Sequence, residues 1–179
     1  MASHRDVTSK STMQEILQAY PSAQRALFAR YHIGGCSSCG FQPTDTLEDV
    51  MRTHGVTEVD GVIGYIKSTQ EANDKLQVEP RELVQLLKDG RVKLLDVRRP
   101  EEHQLVHLDG DLLATQELAQ EIFERWPKDT PIVLYDHVGT DSIEAAQRLV
   151  ERGFTNVRCL RGGIDAWSRE VDPLVPRYQ

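Results

Sequence analysis

The sequence predicts an α/β fold, a parallel sheet with helices on both faces, over residues 77–179, preceded by a small all-α region over residues 1–68. Two observations carry this. In the second half, short apolar runs alternate with segments of helical period, the pattern of parallel strands joined by covering helices. In the first half, apolar residues recur at helical spacing between short breaks.

Thr12-Met-Gln-Glu15 has the form of a capping box. The threonine hydroxyl accepts from one orphan amide and the glutamate reaches back to another. Met13, Ile16 and Leu17 follow at helical spacing and predict a first helix. Pro21 fits the first position of a second. Ala23, Ala26, Leu27 and Tyr31 are its apolar stripe, and Gly34-Gly35 stops it. Cys36-Ser-Ser-Cys39-Gly40 then reads as a loop. A third helix is predicted from Asp45 or Thr46, carrying Leu47, Val50 and Met51, with Gly55 just past its end. A fourth has Thr57 as cap and Val59, Val62, Ile63 and Ile66 as apolar positions. Ser68 to Leu76 is polar, so residues 69–76 read as a linker.

Beyond the linker, Pro80 to Lys88 predicts a helix with Leu83, Val84, Leu86 and Leu87 apolar. Val92 to Val97 and Pro131 to Tyr135 predict strands, the second short and apolar as a buried parallel strand should be. Ser142 to Arg152 predicts an amphipathic helix with Ile143, Ala146, Leu149 and Val150 inward and Gly153 at its end. Asn156 to Leu160 is a third strand. A last helix begins at Gly163 and contains Ala166 and Trp167.

The 179 residues suffice for one full domain or two small ones, and 39 % hydrophobic and 27 % charged content is ordinary for a globular protein. The net charge of −7 argues against nucleic-acid binding, which needs clustered Lys and Arg. Met1 to Ser11 is polar and unlike a secretory signal, and no run of about 18 apolar residues exists to span a membrane. A cytoplasmic location is expected. Three cysteines cannot build a disulfide framework, but Cys36 and Cys39 form a Cys-x-x-Cys pair, which in a reducing compartment reads as redox or metal chemistry.

Asp96-Val-Arg98 followed by Pro100-Glu-Glu102, then His107-Leu-Asp-Gly110, Pro131 to Tyr135 and Gly162-Gly-Ile-Asp-Ala-Trp167 occur in that order over roughly the last hundred residues. This series resembles the markers of the rhodanese family. The resemblance implies a domain whose active loop reads Cys-x-x-Gly-x-Arg-Ser. Here the matching segment is Asp136-His137-Val-Gly139-Thr-Asp141-Ser142. Gly139 and Ser142 are kept, which implies a loop of the same length leading into a helix. The cysteine and the arginine are replaced by Asp136 and Asp141.

A rhodanese cysteine attacks the outer sulfur of a donor such as thiosulfate and holds it as a persulfide, which only a thiolate can do. Loop N–H groups and the following helix N-terminus stabilise the negative sulfur. A carboxylate at position 136 forms no persulfide, and an aspartate at 141 repels an anionic donor. The loop is therefore expected to be inactive, and the related Cys-x5-Arg phosphatase chemistry is lost with it. Two readings of Asp136 are open: an acidic residue stabilised at a helix N-terminus, or a carboxylate that fills the anion cradle in place of the persulfide. A metal site from Asp136, His137 and Asp141 has no spacing rule behind it. Cys159, in a strand, reads as a small buried hydrophobe.

His32-Ile-Gly-Gly-Cys36-Ser-Ser-Cys39-Gly-Phe41, with Thr46-Leu-Glu48 and His54-Gly55, resembles a small helical domain found in disulfide reductases associated with hybrid cluster protein. It is also similar to the N-terminal domain of proteins that repair iron–sulfur clusters. The resemblance covers about residues 5 to 68. Three readings of Cys36 and Cys39 compete. The pair is a dithiol or sulfur carrier, with thiolates favoured by nearby N–H groups in a Gly-rich loop. Alternatively it ligates an iron–sulfur cluster or zinc, with four thiolates supplied by a symmetric homodimer, or with His32 and His54 completing the site. Otherwise it is a structural turn in an interaction module. The expectation is an accessory protein of sulfur, redox or iron–sulfur metabolism. In it the inactive rhodanese-like domain binds a protein partner or regulates.

Overall fold

The computed structural model describes residues 6–34 and 40–178. The chain divides into two compact units, Met1–Lys75 and Leu76–Gln179.

The first unit contains α1 (Met13–Ala19), α2 (Ala23–Tyr31), α3 (Leu47–Thr53) and most of α4 (Val59–Leu76). The capping box at Thr12 forms in both directions. Thr46 caps α3 through its hydroxyl. The N-termini of α1 and α3 are tied by an isolated antiparallel bridge between Thr12 and Thr46. There Met13 N–H donates to the Asp45 carbonyl at 2.8 Å, and Leu47 N–H donates to that of Ser11 at 3.0 Å. Met13, Ile16, Leu27, Leu47, Met51, Val62 and Ile66 are fully buried in one cluster.

Two expectations change here. The second helix begins at Ala23 with Ser22 as N-cap, so Pro21 stands before the helix rather than at its first position. The expected linker 69–76 is the last part of α4. Its residues Gln70, Glu71, Ala72, Asn73 and Lys75 are compatible with a helix, and two of them, Gln70 and Asn73, turn inward. Gln70 accepts the Ser22 N–H at 3.1 Å, and Asn73 accepts from Arg25 at 3.2 Å. Polarity there marks an exposed helix face together with two buried hydrogen-bonding residues.

The second unit contains β1 (Gln77–Val78), α5 (Pro80–Lys88), β2 (Lys93–Asp96), α6 (Pro100–Leu105), β3 (Leu112–Leu113), α7 (Gln116–Arg125), β4 (Ile132–Tyr135), α8 (Asp141–Glu151), β5 (Val157–Leu160) and α9 (Gly163–Glu170). The five strands form one sheet in the order β1-β5-β4-β2-β3, with all pairs parallel. β4 is central and buried along its length. Its side chains alternate between two cores, as the two-residue period of a strand requires. Val133 and Tyr135 pack with Leu94, Leu83 of α5 and Trp167 of α9. Ile132 and Leu134 pack with Leu95, Ile122 of α7 and Leu149 of α8. Helices thus cover both faces, which explains the continuous apolar run.

Candidate functional site

The central strand β4 ends at Tyr135, and the chain turns at once into the loop 136–140 before α8. Asp136, 3 % exposed, points its carboxylate back into this loop. Oδ1 accepts from Gly139 N–H at 2.6 Å and from the Ser142 hydroxyl at 3.1 Å. Oδ2 accepts from Thr140 N–H at 2.8 Å and Asp141 N–H at 2.7 Å. The first N–H groups of an α-helix have no partner within it and favour an anion. Thr140 makes no side-chain cap for α8, so Asp136 is what caps it.

The loop is fixed from behind by the Gly162-Gly163 pair. Ile164 and Asp165, at the start of α9, donate their N–H groups to the Asp136 and His137 carbonyls at 2.9 and 3.1 Å. Gly163 has φ +60°, and a Cβ there would lie 2.4 Å from the Asp136 carbonyl oxygen. Gly139 has φ +83°, and a Cβ there would lie 2.7 Å from the Gly162 nitrogen. Both turns accept glycine because side chains lack room and conformation. The His137 ring stacks on Tyr178 at 4.3 Å between centroids. Asp141 is exposed and lines an apolar groove with Glu144 and Arg148. Asp136, His137 and Asp141 therefore face three different surroundings, which corrects the idea that they gather around a metal.

Beside the loop lies a buried polar network. Arg98 grips Asp96 with two nitrogens, at 2.9 and 2.6 Å. It also donates to the Val106 carbonyl at 2.7 Å and the Tyr178 hydroxyl at 2.6 Å. Burial would raise the Asp96 carboxyl, but Arg98, with a smaller share from His103, holds it below the ordinary value. Burial would lower the Arg98 guanidinium, and its bonds to Asp96 and Tyr178 outweigh this. Burial, reinforced by a hydrogen bond to Asp111, pushes the Tyr135 phenol far above its ordinary range, so it serves as a donor. Asp96 and Arg98 were visible in the sequence as markers. The roles of His103, Asp111, Tyr135 and Tyr178 were not, although His103 and His107 already showed i, i+4 spacing.

Cys36 and Cys39 lie outside the described residues. His32 is the left-handed cap of α2, with its ring edge-on to Phe28, and His54 caps α3. Cys159 is fully buried in β5, with its sulfur 3.7 Å from the Leu76 carbonyl.

A parallel α/β sheet whose central strand feeds an amide-lined loop, backed by a glycine pair, defines a class of anion-cradling domains. Residues 79–170 match the family described as Rhodanese-like domain. The chain belongs to this family. It is similar to the thiosulfate sulfurtransferase GlpE of Coxiella burnetii, with 32 % identity over 91 residues, covering 51 % of this chain and 85 % of that protein. It is 29 % identical over 175 residues to the adenylyltransferase and sulfurtransferase UBA4 of Candida albicans. That match covers 89 % of this chain, so it reaches into the first unit, but the chain spans only 38 % of that protein's length. Among solved structures, that of reduced Bacillus anthracis CoADR-RHD superposes with a TM-score of 0.50 at 20 % identity. It covers 77 % of this chain and 23 % of that one, a likeness of fold.

Proposed function

We propose that the second unit is a rhodanese-like domain with a closed cradle, and that the protein serves sulfur, redox or iron–sulfur metabolism through Cys36 and Cys39. In this reading Asp136 stands where an active member carries its cysteine. The observation that carries it is the set of four donors converging on the Asp136 carboxylate. Those amides are the groups that would hold the charge of a bound persulfide, and the chain's own carboxylate already uses them. The carboxylate is no nucleophile toward sulfane sulfur. The relatives named as sulfurtransferases support a place in sulfur chemistry. With the cradle closed, the cysteine pair is the remaining exchangeable thiol site, acting as a dithiol or a sulfur carrier. The first unit, as a separate all-helical domain, carries that pair, and the second binds a protein partner or regulates.

The test is persulfide mapping. The protein is treated with a sulfane-sulfur donor, and sulfur-bearing cysteines are located by peptide mass spectrometry. Labelling of Cys36 or Cys39, or their reversible oxidation to a disulfide, is expected. A pair that neither takes up sulfur nor oxidises reversibly would remove the dithiol reading.

A further inference from the structure

A second constellation lies outside the 136–142 loop. His103 is in the last turn of α6, His107 follows four residues later, and Asp111 stands just before β3. One donor atom from each of the three lies within 4.8 Å of the other two. The imidazoles stack at 4.3 Å between centroids, with 23° between their planes.

Each group is oriented from behind. His103 Nδ1 is 3.0 Å from Oδ2 of the buried Asp96. His107 Nδ1 is 3.0 Å from the His103 carbonyl oxygen. The Asp111 carboxylate accepts from the Tyr135 hydroxyl. A carboxylate or carbonyl accepting from one imidazole nitrogen fixes the tautomer of the neutral ring and leaves the lone pair on the other nitrogen. Metal-bound histidines are held in this way. The charge also suits a cation. Asp96 is paired with the permanent cation Arg98, whereas Asp111 faces the His103 ring nitrogen at 3.5 Å, which carries charge only when protonated. His107 is exposed, so the site opens to solvent.

We propose that His103, His107 and Asp111 form a binding site for a first-row divalent transition metal of the zinc class. Two imidazoles select ions of this class over magnesium or calcium, which prefer oxygen. Bonds to such an ion are about 2.0–2.2 Å. The three donor atoms, up to 4.8 Å apart, must draw closer together to meet one ion at such distances. Three protein ligands leave the remaining position to water or a small ligand.

The test is titration of the full chain with Co2+, followed by absorption and calorimetry. The chain carries Cys36→Ser and Cys39→Ser to remove competing thiolates. One equivalent bound per chain is expected, with d–d bands and no sulfur-to-metal charge transfer. His107→Gln and Asp111→Asn should each weaken binding by about tenfold or more. His107 is a surface residue, so its variant is expected to keep its circular dichroism and unfolding midpoint. A thiol-free chain that binds no Co2+ overturns the proposal. So does binding that His107→Gln leaves unchanged, including binding abolished instead by His32→Gln or His54→Gln.

Discussion

At position 136, one carboxylate accepts from three backbone N–H groups and the Ser142 hydroxyl, and in the proposed reading it stands for both a nucleophile and the anion that nucleophile would carry. The same carboxylate supplies the cap of α8, so its role is also structural. Asp136→Ala leaves three backbone N–H groups and the Ser142 hydroxyl without their acceptor. Hydrogen bonds to a charged group are worth about 1.5–3 kcal/mol, and loss of an N-cap costs about 0.5–2 kcal/mol. A destabilisation of about 2–3 kcal/mol is expected in urea unfolding, and Asp136→Asn, which keeps one oxygen acceptor, should cost less. Gly163 allows a second test. Gly163→Ala and Gly90→Ala both place a Cβ on a positive-φ residue, at +60° and +63°, but nothing lies within 4 Å of the new atom at Gly90. Gly90→Ala is expected to cost about 1 kcal/mol of strain. Gly163→Ala should cost at least about 2 kcal/mol, because the loop backbone must move. Equal costs would mean that the glycine pair does not brace the loop.

Among the elements, α9 holds the segment that follows it through charge. Asp165 bonds Arg177 at 2.6 Å and pairs with Arg169 at 3.2 Å. Chiefly through Arg177, its carboxyl is held below the ordinary aspartate value of 3.8. A group depressed in the folded state stabilises the fold fully above the unfolded value and loses that contribution as pH falls through the folded one. Asp165→Asn should therefore lower stability near neutral pH and make little difference well below pH 3.8. An unfolding series across that range, wild type against variant, checks the sign.

The elements read from the sequence, α1 to α3, the first part of α4, α5, β2, β4, α8, β5 and α9, are those with capping residues, apolar runs or amphipathic stripes that show a period. β1 and β3 have two residues each, too few for any period. α6 buries no residue, so nothing in its pattern announced it. α7 escaped because only Ile122 is fully buried and the rest of its inward face is partly covered. The tail of α4 was mistaken for a linker because its inward residues are polar. The candidate loop was legible because its glycines and flanking signature are local in sequence. The His103–His107–Asp111 group was not, because its orientation depends on Asp96 and Tyr135, the ends of two different strands.

For the whole molecule, each unit owns its core. One apolar cluster lies entirely within the first unit, and two lie on the opposite faces of the sheet in the second. A fragment of residues 76–179 contains all five strands and both of these clusters. It is expected to unfold cooperatively on its own, as chemical denaturation followed by circular dichroism would show. No helix among the described residues is long and apolar enough to cross a membrane.

The closed cradle is tested most directly by steady-state transfer of sulfur from thiosulfate to cyanide, using the full-length protein with Cys36→Ser and Cys39→Ser. No turnover above the uncatalysed rate is expected, since a carboxylate occupies the amides that a persulfide would need. Robust turnover by this variant, abolished by Asp136→Ala, would contradict it.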